Sequence, residues 1–160
     1  MSTALKQLWQ SGVSYESISV TQLCRLAHVA RQTFYRRYDS MDEIFGVDTA
    51  RMFNSLMTNI DENNDSLQHM AHWVVEVVYQ YQDLFAEVTW SHNELIMVQT
   101  MTGGVLRVFS IRDVKPAHQA IFAEMVARDL LGFGQTVVRY PHLPKKDAEQ
   151  MVTAFLPRLG

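Results

Sequence analysis

Apolar residues recur three and four positions apart along almost all of this 160-residue chain, and no stretch of any length alternates as a half-buried strand does. The clearest case closes the chain: Ala148, Met151, Val152, Phe155, Leu156 and Leu159 follow i, i+3, i+4, i+7, i+8 and i+11. The same period runs through Leu67, Met70, Ala71, Val74, Val75, Val78 and Tyr81. It appears again in Ile121, Phe122, Met125, Val126, Leu130, Phe133, Val137 and Val138. Stripes of this period are buried by packing helix on helix, so the fold class is all-α. The 48% hydrophobic content supplies a packed core for one globular unit.

Local signals divide these stripes into elements. Ala4, Leu5, Leu8 and Trp9 mark a short helix over about residues 3–11, stopped at Gly12. Ser19 is placed to cap a second helix, whose buried face is Val20, Leu23, Cys24 and Ala27. His28 then occupies a turn, and a third helix is expected over about 31–38 with Phe34 and Tyr38 inward. Ser40-Met41-Asp42-Glu43 reads as a capping box, Ser40 the N-cap and Glu43 reaching back to its amide. It opens a long helix to about Ile60, followed by a polar linker over 61–66. Residues 84–89 read as a short helix or a turn, and Ser91 or Asn93 caps the helix after it. Gly103-Gly104 inside that helix costs roughly 1 kcal/mol per glycine against alanine, which implies a kink or the close approach of a neighbour or ligand. Pro116 is expected in the first turn of the next helix, and Pro141 and Pro144 bracket a turn before the last.

Charge singles out the first quarter of the chain. Residues 1–38 hold Lys6, Arg25, Arg31, Arg36 and Arg37 against Glu16 alone, a net of +4. The rest carries 9 basic and 16 acidic residues, a net of −7, which together give the −3 of the whole chain. A basic head on an acidic body suits a protein that meets a polyanion at one end. Two helices joined by so short a turn cross steeply, as in a helix-turn-helix, whose second helix reads base edges from its N-terminal residues. Arg31, Gln32 and Thr33 hold those positions; arginine and glutamine have bidentate complements in guanine and adenine. Tyr35, Arg36 and Arg37 lie one turn further, where phosphates flank a groove, and Ser19 and Thr21 can donate to phosphate from the preceding helix. The bland alternative is a structural turn with solvated arginines.

These residues resemble the N-terminal domain of the TetR family of transcriptional regulators. The resemblance rests on Leu23, Cys24, Ala27, Val29, Thr33-Phe34-Tyr35, Tyr38, Ser40, Glu43 and Ile44-Phe45, with Leu8-Trp9 and Gly12 before them. It is specific over residues 5–45 and a matter of layout beyond. It implies an all-helical homodimer of about nine helices, a helix-turn-helix head on a helical ligand-binding and dimerisation body, joined through its last two helices. The corresponding division is 1–45 for DNA binding and 46–160 for effector binding and dimerisation. The chain departs from the family pattern in its short start before the first helix, and at His28 (often Gly), Ala30 (often a capping Ser) and Met41 (often Lys). Each departure is expected to weaken the head or its grip on DNA.

The body offers a candidate effector site in Trp73, Trp90, His92, Met97, Gln99, Met101 and Phe109, with Tyr79 nearby in sequence order. Ligand sites are mostly apolar with a few polar anchors, although the same residues serve equally as core. The effector implied is small and apolar or aromatic. His69 and His72, with His92, make a poor metal set without cysteine or carboxylate at ligand spacing, and no metal or cofactor is expected. Phosphate loops and nucleophile elbows are absent, so an enzyme has no positive support. Cys24 alone forms no intrachain disulfide and reads as a small buried hydrophobe. With no signal segment and no apolar run of roughly 18 residues, a cytoplasmic protein with no membrane partner is expected.

The reading is a DNA-binding transcriptional regulator, a repressor rather than an activator on family habit. It would bind double-stranded DNA at a roughly palindromic operator as a homodimer, under the control of a small effector. The alternative is a helical dimeric protein-interaction module or co-activator whose DNA binding is weak or lost.

Overall fold

The computed structural model describes residues 1–62, 67–111, 113 and 115–155. The chain is all-α, with nine α-helices and no strand among the described residues. They are α1 (Ser2–Gln10), α2 (Val20–Leu26), α3 (Arg31–Tyr35), α4 (Glu43–Glu62), α5 (Leu67–Gln80), α6 (Gln82–Trp90), α7 (Glu94–Ile111), α8 (Gln119–Arg139) and α9 (Lys145–Phe155). A single 3-10 turn, Tyr15–Ser17, links α1 to α2. The expected linker positions 63–66 and the last apolar positions, Leu156 and Leu159, lie outside the described residues.

Three helices end in the same way. At α1, α2 and α6 a left-handed residue follows the C-cap, and paired backbone bonds close the helix as a Schellman motif. The left-handed residue is Gly12 after α1 (φ 75°), His28 after α2 (φ 54°) and His92 after α6 (φ 56°). After α2, the His28 amide donates to the Arg25 carbonyl at 3.2 Å and the Val29 amide to Cys24 at 3.0 Å. After α6, His92 donates to Thr89 at 3.4 Å and Asn93 to Val88 at 3.0 Å. Histidine is tolerated at positive φ better than most residues, yet still at a cost that glycine avoids.

Helix starts agree less well with expectation. Ser19 caps α2 as read, its Oγ accepting from the Gln22 amide at 3.1 Å. The box at Ser40 is shifted: α4 begins at Glu43, whose carboxylate accepts from the Asp39 amide at 2.9 Å and not from Ser40. Pro116 lies ahead of α8 and not in its first turn, because left-handed His118 (φ 55°) intervenes as N-cap. The third helix is shorter than expected, ending at Tyr35. The Arg37 and Tyr38 amides nevertheless both donate to the Phe34 carbonyl at 2.9 Å, so Tyr38 stays one turn from Phe34. Residues 84–89 are helical, within α6.

The core is continuous from Ala4 to Val152. α7 packs between α4 and α8, α9 lies on α5, and α6 touches α8 on one side and α1 and α4 on the other. Two glycines set these contacts. A Cβ on Gly104 would come within 2.5 Å of the Phe53 ring, and one on Gly134 would strike Phe85. Close approach is thus the use of Gly104, and α7 runs unbroken through it. Residue 45, the expected boundary, falls in the first turn of α4, so that helix serves head and body alike. No helix among the described residues is long and apolar enough to cross a membrane.

Candidate nucleic-acid interface

α3 is held by one side of a five-residue helix. Phe34 is fully buried and Tyr38 nearly so, their rings 5.5 Å apart, while the Tyr35 ring meets Phe34 edge-on at 5.2 Å. At 3.6 residues per turn, Gln32 and Arg36 point away from Phe34, with Arg31 and Tyr35 on one flank and Thr33 and Arg37 on the other. All six are exposed. Arg31 stacks over the Tyr35 ring at 5.8 Å and Arg37 over Tyr38 at 5.5 Å. Thr33 and Arg37 also line a groove of about 370 Å³ with Ser2, Thr3 and Arg51, which brings α1 beside α3. Ser19 and Thr21 are exposed at the start of α2; the Ser19 oxygen is engaged by its cap, leaving its proton available to an acceptor.

Most of the basic side chains of the first 38 residues are left without a counter-charge among the described residues. Lys6, counted with the basic head, pairs instead with Asp83 of α6, a contact that raises its pKa. Arg25, Arg31, Arg36 and Arg37 make no ion pair among the described residues. In the body Arg51 pairs with Asp48, Arg128 with Glu124 and Lys145 with Glu76, while Arg107, Arg139 and Lys146 make no ion pair among the described residues. The head therefore presents four unneutralised guanidinium groups, three of them on or directly after α3.

No side chain caps α3, because Ala30 occupies the N-cap with extended backbone (φ −71°, ψ 147°). The expected loss of a cap at that position is borne out.

The seven residues read as an effector site have separate surroundings. Met97, Met101 and Phe109 are buried along the inner side of α7, and Gln99 is exposed on that helix. His92 is the left-handed residue after α6. Trp73 lines a groove of about 590 Å³ with Tyr79, Glu76 and Lys145, its indole N–H buried without a partner among the described residues. His72 accepts or donates at 2.7 Å to Glu149 of α9.

Trp90 belongs to a junction that the sequence did not disclose. Its Nε1 donates to the Val13 carbonyl at 3.0 Å, and its ring meets Tyr15 edge-on at 5.3 Å. The Tyr15 hydroxyl donates to Asp42 Oδ1, which also accepts from Asn93 Nδ2 at 3.0 Å. Burial, and next the Asp42 carboxylate, push the Tyr15 phenol well above its ordinary range. The loop before α2, the start of α4 and the start of α7 thus meet at one carboxylate. Only the separations 15–42–93 link them in sequence, and no local pattern could have found them.

No protein-family profile and no curated protein matches the chain. Among solved structures, the crystal structure of Lin0861 from Listeria innocua superposes with a TM-score of 0.89 at 20% identity, covering 95% of this chain and 84% of that one. At that identity the likeness establishes a shared all-helical fold.

Proposed function

We propose that the chain is a TetR-like transcriptional regulator, a repressor by preference, that binds a roughly palindromic operator as a homodimer under the control of a small effector. One observation carries the reading: α3 turns Gln32 and Arg36 directly outward, flanked by Arg31, Thr33, Tyr35 and Arg37, with no carboxylate paired to any of them. Four uncompensated arginines beside exposed amide and hydroxyl donors match a phosphate backbone with base edges between. In this reading α2 and α3 form a helix-turn-helix, Arg31, Gln32 and Thr33 read bases, and Tyr35, Arg36, Arg37, Ser19 and Thr21 contact phosphate.

The outer faces of α8 and α9 support the dimer. Ile121 and Met125 are 63% and 58% exposed on α8, and Met151 on α9 is half exposed. Gly132 and Thr136 continue the α8 stripe, and Gly132 has open space beyond it. Pairing these faces across a twofold axis buries the apolar stripe and sets two heads about 34–36 Å apart, or a multiple of that, on successive turns of DNA.

Fluorescence anisotropy with DNA from upstream of the chain's own gene tests the proposal. Expected is binding whose logarithm falls with log salt at a slope of about −4 to −7, for roughly four to eight phosphate contacts per dimer. Arg36→Ala and Tyr35→Ala should weaken it severalfold or more. Binding indifferent to both substitutions would remove the assigned face, and a monomer in sedimentation at micromolar concentration would remove the dimer. A folded dimer with no affinity for DNA would favour the partner-recruiting module instead.

A further inference from the structure

We propose that the groove between α4 and α7 binds an amphiphilic monoanion, a single carboxylate on an aliphatic or aromatic body, and that this ligand is the effector. The second half of the statement rests on the regulatory reading above; the first half does not. The groove holds about 650 Å³, within the range of small-molecule sites. Its apolar surface comes from Phe53 and Met57 of α4 and Val108 of α7, and Gly103 leaves open space where a side chain would otherwise project. At its polar side stands Arg107, and among the described residues Arg107 makes no ion pair and no aspartate or glutamate lines the groove. Asn54 and Thr100 add side-chain donors that are not engaged by other described residues.

A cation and neutral donors beside an apolar trough are complementary to a carboxylate attached to a hydrocarbon, and a dianion would leave its second charge without a partner. Three other grooves among the described residues lack this combination. In the one at Trp73, the cation Lys145 is already neutralised by Glu76 at 2.7 Å. The one at Tyr140 and Met151 lies on the proposed dimer face, and the one at Thr33 and Arg37 belongs to the head. Position gives the α4/α7 groove its regulatory meaning. Ala50, on its rim, lies about 10 Å along α4 from Glu43, so a ligand seated between α4 and α7 bears on the helix that enters the head.

The test is calorimetric titration of the full chain with sodium decanoate, with decanol as its neutral counterpart. One saturable site per chain is expected for decanoate. Affinity should fall about tenfold for decanol, and about tenfold for decanoate with Arg107→Gln, because each removes a charge-assisted contact. Gly103→Leu fills the trough, and as a helix former replacing glycine it should leave the melting temperature equal or higher while abolishing binding. Failure of decanoate to saturate, or affinity unchanged in both variants, overturns the site. Saturable, Arg107-dependent binding in a chain that does not bind DNA would keep the ligand class and refute the regulator. Binding that leaves operator affinity unchanged would refute the effector role.

Discussion

Glu87 offers the most direct test of how the head is seated on the body. It lies on α6 where α1 and α4 meet that helix, and only 7% of its surface is exposed. Burial raises its pKa from 4.5 to about 7; Lys6 opposes the rise, while Asp48 and Asp83 add to it. Lys6 is itself committed to Asp83, which limits what it can offer Glu87. Between those two pH values the folded chain holds a proton that the unfolded chain has released, so stability falls as pH rises. The contribution is complete below pH 4.5 and lost as pH passes through about 7. A difference of 2.5 pH units at about 1.36 kcal/mol each gives about 3 kcal/mol, and the carboxyl's residual contact with water lowers that to about 2 kcal/mol. Glu87→Gln keeps the shape and removes the titration. Urea denaturation at a series of pH values should show the variant about 2 kcal/mol more stable than the parent at pH 8, the gain shrinking to nothing near pH 4.5. Other carboxylates cancel in the difference between the two proteins. A difference flat with pH would refute the buried acid. A variant less stable at pH 8 would show that Lys6 depends on Glu87 as a counter-charge.

Three further outcomes follow from the backbone. Ala30→Ser supplies the missing cap of α3, whose extended N-cap geometry is already in place, and should add about 1 kcal/mol in chemical denaturation and tighten any DNA complex. His28→Gly relieves a left-handed residue at a cost in unfolded-chain entropy, for a net gain of roughly 0.5–1 kcal/mol; a loss would mean that the imidazole is held by a contact outside its backbone role. Gly103→Ala and Gly104→Ala should part in sign. The first gains about 1 kcal/mol of helix propensity in open space, and the second loses about 1–3 kcal/mol by driving Phe53 from the core, both read from melting curves.

What was legible in the sequence was local. Gly12 as a stop, Ser19 as a cap and Ala30 as a missing cap depend on bonds spanning three to five residues, and each is where the pattern put it. The spacing Ser40-x-x-Glu43 was a weaker guide. Glu43 reaches the Asp39 amide as readily as that of Ser40, and the spacing alone does not choose between them. His92, read as a polar anchor for a ligand, ends a helix in the same left-handed conformation as His28. The aromatic and methionine residues of the body could not be sorted into core and ligand wall, since both require the same chemistry. Phe53 is core where its ring meets Gly104 and ligand wall where it lines the groove that Gly103 leaves open. That distinction depends on how α4 is set against α7, which no local pattern determines.

The junction at Asp42 bears on whether such a fold can switch. Its Oδ1 accepts from Tyr15 in the loop before α2 and from Asn93 at the start of α7, while Trp90 holds Val13 independently. Tyr15 and Val13 belong to the segment leading into α2, so these bonds fix where α2, and α3 packed on it, stand relative to α6 and α7. A displacement of α4 against α7 cannot keep the Tyr15 and Asn93 bonds to Asp42 both intact. Losing a hydrogen bond to a charged group costs about 1.5–3 kcal/mol. Coupling between an effector and a distant site is typically about 1–3 kcal/mol. The two quantities match, so under the regulatory reading proposed above, exchange of one bond at Asp42 would supply a coupling of the size such a switch needs.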